Sequence, residues 1–320
     1  AQQPATSKEE GNLVAFSGPD FKATFDKQSG LLTSYLYKKH EYILNGQGPR
    51  PFFWRAPTDN DYGANLPVRL KAWKEASYQE PKAESFQVTP GSNATTVKVT
   101  YRFPQTEARW NITYKIYASG VIKVDNRFMA EGDQAPMIPR VGLRMQLPES
   151  FTDLTYYGRG PKENYRDRRT SQFIGEYAIP VKDMYEPYVR PQENNHRTDI
   201  YWCALTDKTQ RGLLLIADRT FELNASNYPL ESMDSGDTID NGAPRTEKTH
   251  HRHLTDPLPE KMVDLFIDYR MMGVGGDDSW GATAHEPYLI RPGKENAIEY
   301  GFSLVPFDKK EDYKYLIRQY

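Results

Sequence analysis

Between residues 95 and 128 apolar and polar positions alternate with a period of two. Val97, Val99, Tyr101 and Phe103 are separated by Lys98, Thr100 and Arg102. Trp110, Ile112, Tyr114 and Ile116 are separated by Asn111, Thr113 and Lys115. Such alternation puts one face of a strand on a core and the other in water. Ala118-Ser119-Gly120 then reads as a hairpin turn into a further strand over Val121–Phe128. Shorter runs predict strands near 21–26, 31–37, 138–147, 200–205, 211–217, 262–269 and 297–304, parted by Gly, Pro, Asn and Asp clusters.

Helical signals are few. Pro67, Leu70 and Trp73 predict a short amphipathic helix at about 67–76. Tyr313, Leu316, Ile317 and Tyr320 have helical spacing at the C-terminal end. Strands do not alternate with long helices, which argues against a barrel of β/α units. The pattern predicts an all-β protein: one large antiparallel sandwich with few short helices and long loops. Residues 1–11 read as a linker or flexible tail, 12–305 as the domain, and 306–320 as a C-terminal extension with helical spacing. The segment 231–245 reads as a loop. A polar start without an initiator Met suggests a processed protein or a segment of a longer one.

Composition changes this picture little. With 320 residues the chain is long enough for a sizeable core. Basic and acidic residues nearly cancel, leaving a net charge of −2 and no electrostatic case for nucleic acid or an anionic membrane. No apolar run approaches a membrane span. The single cysteine, Cys203, lies in an apolar run and reads as a buried, inert thiol. The 22 tyrosines suit either a β-rich core or a recognition surface.

Candidate chemistry lies in the loops. Glycosidic cleavage generally needs two carboxylates about 5–5.5 Å apart for retention or about 6.5–9.5 Å for inversion. Among 43 acidic residues the sequence singles out no such pair. The loop 271–281 is more informative. Gly273, Gly275 and Gly276 permit close backbone approach. Asp277 and Asp278, beside Ser279, can accept hydrogen bonds from sugar hydroxyls or cap backbone amides. Trp280 offers a face on which the C–H patch of a hexose, galactose in particular, can stack. The same residues would also make an Asp-capped turn with Trp280 as a core anchor. In the loop 51–63, Asp59, Asn60, Asp61 and Gly63 superficially follow a calcium loop. Its Gly comes one place early, and Leu70 stands where a bidentate Glu would close the loop. Turn chemistry explains it better. In HHRH (250–253), His251 and His253 would share a strand face, but no third ligand is specified. Histidine with a carboxylate could also move a proton at an anomeric centre, as in a sugar epimerase.

Five motifs together resemble a known family. They are FWRAPTDNDYG (53–63), YYGRGPKENYRDR (156–168), MYEPYVRPQENNHR (184–197), HHRHL (250–254) and MGVGGDDSW (272–280). In this order they look like the C-terminal domain of family 2 glycoside hydrolases, and more closely the bacterial β-galactosidases. The resemblance implies a large antiparallel supersandwich similar to galactose mutarotases. It implies a domain that completes an active site for retaining hydrolysis of terminal β-D-galactosides, while the catalytic glutamates lie on a barrel elsewhere in a parent chain. Isolated, it should be inactive. Trp280 would contact the sugar. Asp59, Asn60, Asp61 and Gly63, with Gly275, Gly276, Asp277, Asp278 and Ser279, would form loops bordering the site. No catalytic residue, metal or cofactor is expected within this chain, and any Mg and Na ions of the parent enzyme would be bound elsewhere. The implied partners are a galactoside and the N-terminal sandwich and catalytic barrel domains of the parent, with neither nucleic acid nor membrane. Localisation is open between bacterial cytoplasm and periplasm. A free-standing aldose 1-epimerase and a carbohydrate-binding module are the alternatives.

Overall fold

The computed structural model describes residues 2–131, 137–236, 253–278, 280–293 and 297–320. Seventeen strands are found among them. A first sheet of five carries β1 (Thr6–Glu10), β2 (Leu13–Ser17), β3 (Phe21–Asp26), β4 (Leu32–Tyr37) and β5 (His40–Glu41), in that order. The remaining twelve form one sheet. They are β6 (Arg50–Phe52), β7 (Ala83–Thr89), β8 (Thr95–Phe103), β9 (Ala108–Ile116), β10 (Ile122–Ala130), β11 (Arg140–Pro148), β12 (Asp153–Gly160), β13 (Phe173–Pro180), β14 (Arg197–Thr206), β15 (Gly212–Ser226), β16 (Met262–Met271) and β17 (Ile298–Phe307). All pairings are antiparallel. The expected all-β sandwich is what forms.

The period-two reading locates the long strands well. In β8 and β9 the predicted apolar residues are buried and the polar ones are not. Side chains of the two sheets meet face to face: the Phe25 ring lies 5.0 Å from that of Tyr114 and near Phe86. Tyr35 donates to the Gly120 carbonyl of the predicted hairpin turn. Gly120 itself has φ +93, which its missing Cβ allows.

Three local expectations change. Residues 6–10, read as part of a linker, form strand β1, paired with β2 from Thr6↔Ser17 to Glu10↔Leu13. All its side chains are exposed, so no apolar alternation betrays it. The helix expected at 67–76 is split into α2 (Leu66–Arg69) and α3 (Lys71–Tyr78) at Leu70, and a further turn, α1 (Asp59–Gly63), precedes them. Leu70 and Trp73 are buried as the pattern requires. Trp73 packs with Phe53, which also touches Phe103, Trp110 and Phe128. Lastly, β17 runs to Phe307, and the extension beyond it docks on the domain. Its short helix α4 (Tyr313–Ile317) sets Tyr313 against Trp202 and Phe307, while Lys38 reaches Asp308 at 2.7 Å. Cys203 is buried, and burial pushes its thiol well up. No described helix is long and apolar enough to cross a membrane.

The 15-residue β15 is a branch point. Its first half pairs with β17 and its second half with β16, while β14 runs along its other edge. Beyond β16 lie β11 and then β6. At one end of this branch β11 pairs Arg140 with Met271 and Gly142 with Phe52. The chain leaving β6 and the chain leaving β16 therefore emerge side by side. That places the loops after residues 52 and 271 together.

Candidate functional site

Arg55 joins the two loops. It is 2% exposed. Its Nε and Nη2 donate to the two carboxylate oxygens of Asp61 at 3.0 and 2.8 Å. Nη1 and Nη2 also donate to the carbonyls of Met272 and Gly273 at 2.6 and 3.0 Å. Burial acts to lower the Arg55 pKa, but Asp61 outweighs it and the guanidinium is held charged. Asp61 also closes a capping box at the start of α1: Thr58 Oγ1 accepts from the Asp61 amide, and Asp61 accepts from the Thr58 amide. Asn60 donates to the Val274 carbonyl at 3.2 Å. Thr58→Ala removes one half of the box and should lower stability by about 1 kcal/mol. A urea titration checks this: the midpoint should fall with the slope unchanged.

The glycine-rich loop is gripped from its other side by Asp167. Its carboxylate accepts the amides of Val274 and Gly275 at 3.1 and 2.7 Å. A Cβ on Gly273 would come within 2.6 Å of that carboxylate, so this glycine is required for close approach. Farther along, Asp278 Oδ1 accepts from the amides of Trp280, Gly281 and Ala282. These bonds hold its carboxyl below the usual range. Asp277 meets His285 Nε2 at 2.8 Å. Trp280 is 86% exposed. It is not the core anchor that one reading of the loop allowed. The indole stands out from a loop fixed through its backbone, a poor arrangement unless something covers the ring.

Beneath the loops lies a closed polar network. His196 and Asp268 have no exposed surface, and Glu222 is almost as deep. His196 contacts Asn224 through Nδ1 at 2.6 Å and Glu222 through Nε2 at 2.8 Å, and Tyr165 stacks on its ring. Glu222 also accepts from Arg166 Nε and from the Met271 amide. Arg140 donates to Asp268, Asn224 and the Trp54 carbonyl. Burial acts to lower the His196 pKa, but the Glu222 bond and charge raise it overall. Glu222 is depressed in turn: burial opposes this, and His196 and Arg166 overcome it. Burial raises Asp268 to about 7 despite Arg140 and His196. This His–carboxylate pair is saturated by protein partners and leaves no opening for a sugar.

Four of the five motifs thus converge. Asp61 is a buried ion-pair partner, Asn60 and Gly63 are half-buried, and Asp59 is exposed and held by Arg190 Nε at 2.7 Å. Gly275 is half-buried, while Gly276, Asp277, Asp278 and Trp280 are exposed. Ser279 lies outside the described residues, as do His250, His251 and Arg252 of the fifth motif and 237–245 of the loop read at 231–245. Among the described residues no cluster of His, Cys, Asp and Glu could hold a metal ion. Arg55, Asp167, His196 and Glu222 escaped the sequence reading, although three of them sit inside the quoted motifs.

Comparisons with known proteins bear on the family and the fold. The family model described as "Beta galactosidase small chain" matches residues 17–304. A β-galactosidase of Priestia megaterium is 33% identical over 291 residues, which are 91% of this chain and 26% of that protein. One of Halalkalibacterium halodurans is 30% identical over 294 residues, 91% of this chain and 27% of that protein. The chain therefore spans about a quarter of the length of these relatives. Among solved structures, a galactose 1-epimerase from Lactobacillus acidophilus superposes with a TM-score of 0.52 at 6% identity, covering 96% of this chain and 98% of that one. At that identity the likeness concerns the fold, which is galactose mutarotase-like.

Proposed function

Since the chain belongs to the β-galactosidase small-chain family, we propose that it serves as the C-terminal part of a family 2 glycoside hydrolase. In that reading it completes the site of a β-galactosidase and supplies no catalytic carboxylate. The glutamates of the retaining reaction belong to a barrel domain of the parent, which an N-terminal sandwich domain accompanies. Any Mg and Na ions of the parent sit on residues outside this chain. Trp280 gives the galactoside a flat apolar face for its C–H patch. Gly275, Gly276, Asp277, Asp278 and Ser279, with Asp59, Asn60, Asp61 and Gly63, shape the rim. Asp61 does so indirectly, by fixing Arg55 against the loop. The observation that carries this reading is the exposed indole on a loop held by Arg55, Asn60 and Asp167. A rigid mount lets one ring orient a sugar with little ordering cost at the moment of binding.

The epimerase alternative needs a histidine and a carboxylate that converge around an anomeric centre, and the His196–Glu222 pair is sealed while the His285–Asp277 pair stands out in solvent.

Within the parent enzyme, Trp280→Ala should lower kcat/KM for a chromogenic β-galactoside by about 10- to 100-fold. Trp280→Phe should retain most of the activity. The isolated chain should not turn over. Turnover by the isolated chain, or a parent enzyme indifferent to Trp280→Ala, would rule the reading out.

A further inference from the structure

A second concave feature lies on the sheet. The polar faces of β8, β9, β10, β15, β16 and β17 enclose a groove of about 900 Å³. Its acidic residues are already neutralised. Glu299 meets Arg127 at 3.0 Å, Asp218 meets Lys123, and Asp125 meets both Lys123 and Lys115. Arg166 is engaged by Glu222 at 2.7 Å. Lys98, Arg219 and Arg270 also line the groove, and among the described residues none of the three has an acidic partner. Arg270 lies over the Tyr269 ring at 5.2 Å, and its Nε is buried with no hydrogen-bond partner among the described residues. Burial above all, and then the charge of Arg166, lower its pKa, although Glu222 acts to raise it. A buried guanidinium N–H left unpaired is costly unless a ligand satisfies it.

We propose that this groove binds an acidic oligosaccharide, whose carboxylate or sulfate groups pair with Arg270 and Arg219. The guanidinium fork suits either anion. Thr113 and Thr220 on the walls offer hydroxyl partners for the neutral parts of a sugar, and the volume lies within the range of small-ligand sites. A peptide is a poorer fit, because among the described residues ladder bonds are missing only over short stretches, on the β15 side of β17 over 298–301 and of β16 over 269–271, shorter than a typical added strand. The proposal does not depend on Trp280.

Calorimetric titration of this chain with digalacturonate, galactose 6-sulfate and neutral lactose tests it. At least one acid should bind about tenfold or more tighter than lactose, and the acid that does so identifies the anionic group. That affinity should fall when ionic strength is raised to about 0.3 M. Arg270→Gln and Arg219→Gln should each weaken the acid about tenfold, while Trp280→Ala should leave it unchanged. Arg219 is exposed, so its substitution reports on the groove even if Arg270→Gln disturbs folding. The proposal is overturned by equal affinity for acids and lactose, by no heat with either acid, or by an acid affinity indifferent to both arginine variants. It is equally overturned if a glutamate-rich peptide binds and the sugars do not. None of these outcomes touches the galactosidase reading, whose test is Trp280 in the parent enzyme.

Discussion

Arg55→Leu should destabilise the domain by about 3–5 kcal/mol, the cost expected when one partner of a buried ion pair is removed. Asp61 would stay buried without its cation. The carbonyls of Met272 and Gly273 would lose their donors as well. Asp61 would still accept from the Thr58 amide, a single bond that cannot replace the bidentate guanidinium. The double variant Arg55→Leu/Asp61→Leu removes both charges and should recover a large part of the loss, although the two carbonyls stay unsatisfied. Urea unfolding of the four proteins of this cycle gives the coupling energy directly. A loss below about 1 kcal/mol for Arg55→Leu would show that the pair is not the clasp described. In the parent enzyme both variants should resemble Trp280→Ala in part, because the loop would be left with only the Asn60 bond to α1.

The long strands were legible because burial on one face forces alternation, as in β8 to β10. Strand β1 was not, since both its faces meet water and only backbone hydrogen bonds define it. Strand β13 lies at the end of the large sheet with no fully buried residue, and its pattern is equally mute. The turn α1 hid behind its Asp and Asn residues, which favour caps as readily as loops. At the site the glycines and Trp280 were legible by residue type. Arg55 and Asp167 were not: a charged residue signals its role only through its partners, and although Asp61 is close to Arg55 in sequence, the loop carbonyls and amides that Arg55 and Asp167 bind lie far along the chain. The groove around Arg270 was hidden for the opposite reason. The alternation in β8 to β10 marks its walls as solvated, and nothing in one strand reveals that six such faces curve together.

Asp268 makes a second large prediction, in pH. Its carboxyl is raised to about 7 by burial. Among the described residues only Arg140 donates to it, and Oδ1 has no hydrogen-bond partner. A Cβ on Gly142 would lie 1.7 Å from that oxygen, so the glycine leaves room for the carboxylate and little else. Between the ordinary carboxylate pKa and about 7 the folded state binds the Asp268 proton more tightly than the unfolded chain does. Unfolding then releases a proton, and stability must fall as pH rises through this window. A shift from 3.8 to about 7 corresponds to about 4 kcal/mol in total, at 1.36 kcal/mol per unit. His196, also raised, acts in the same direction: its contribution is present below the ordinary histidine pKa and is lost as pH rises through its folded value. Glu222 is depressed, so its contribution is lost only as pH falls below the ordinary carboxylate range. Asp268→Asn removes the titration while keeping the shape. Urea midpoints measured at about pH 5 and pH 7.5 should drop markedly in the wild type and much less in Asp268→Asn. The variant should match or exceed the wild type at the higher pH, where the ionised carboxylate is most costly to bury. Parallel pH profiles for the two proteins would instead mean that the Arg140 charge keeps Asp268 ionised throughout, with the pair as the stable state of the network.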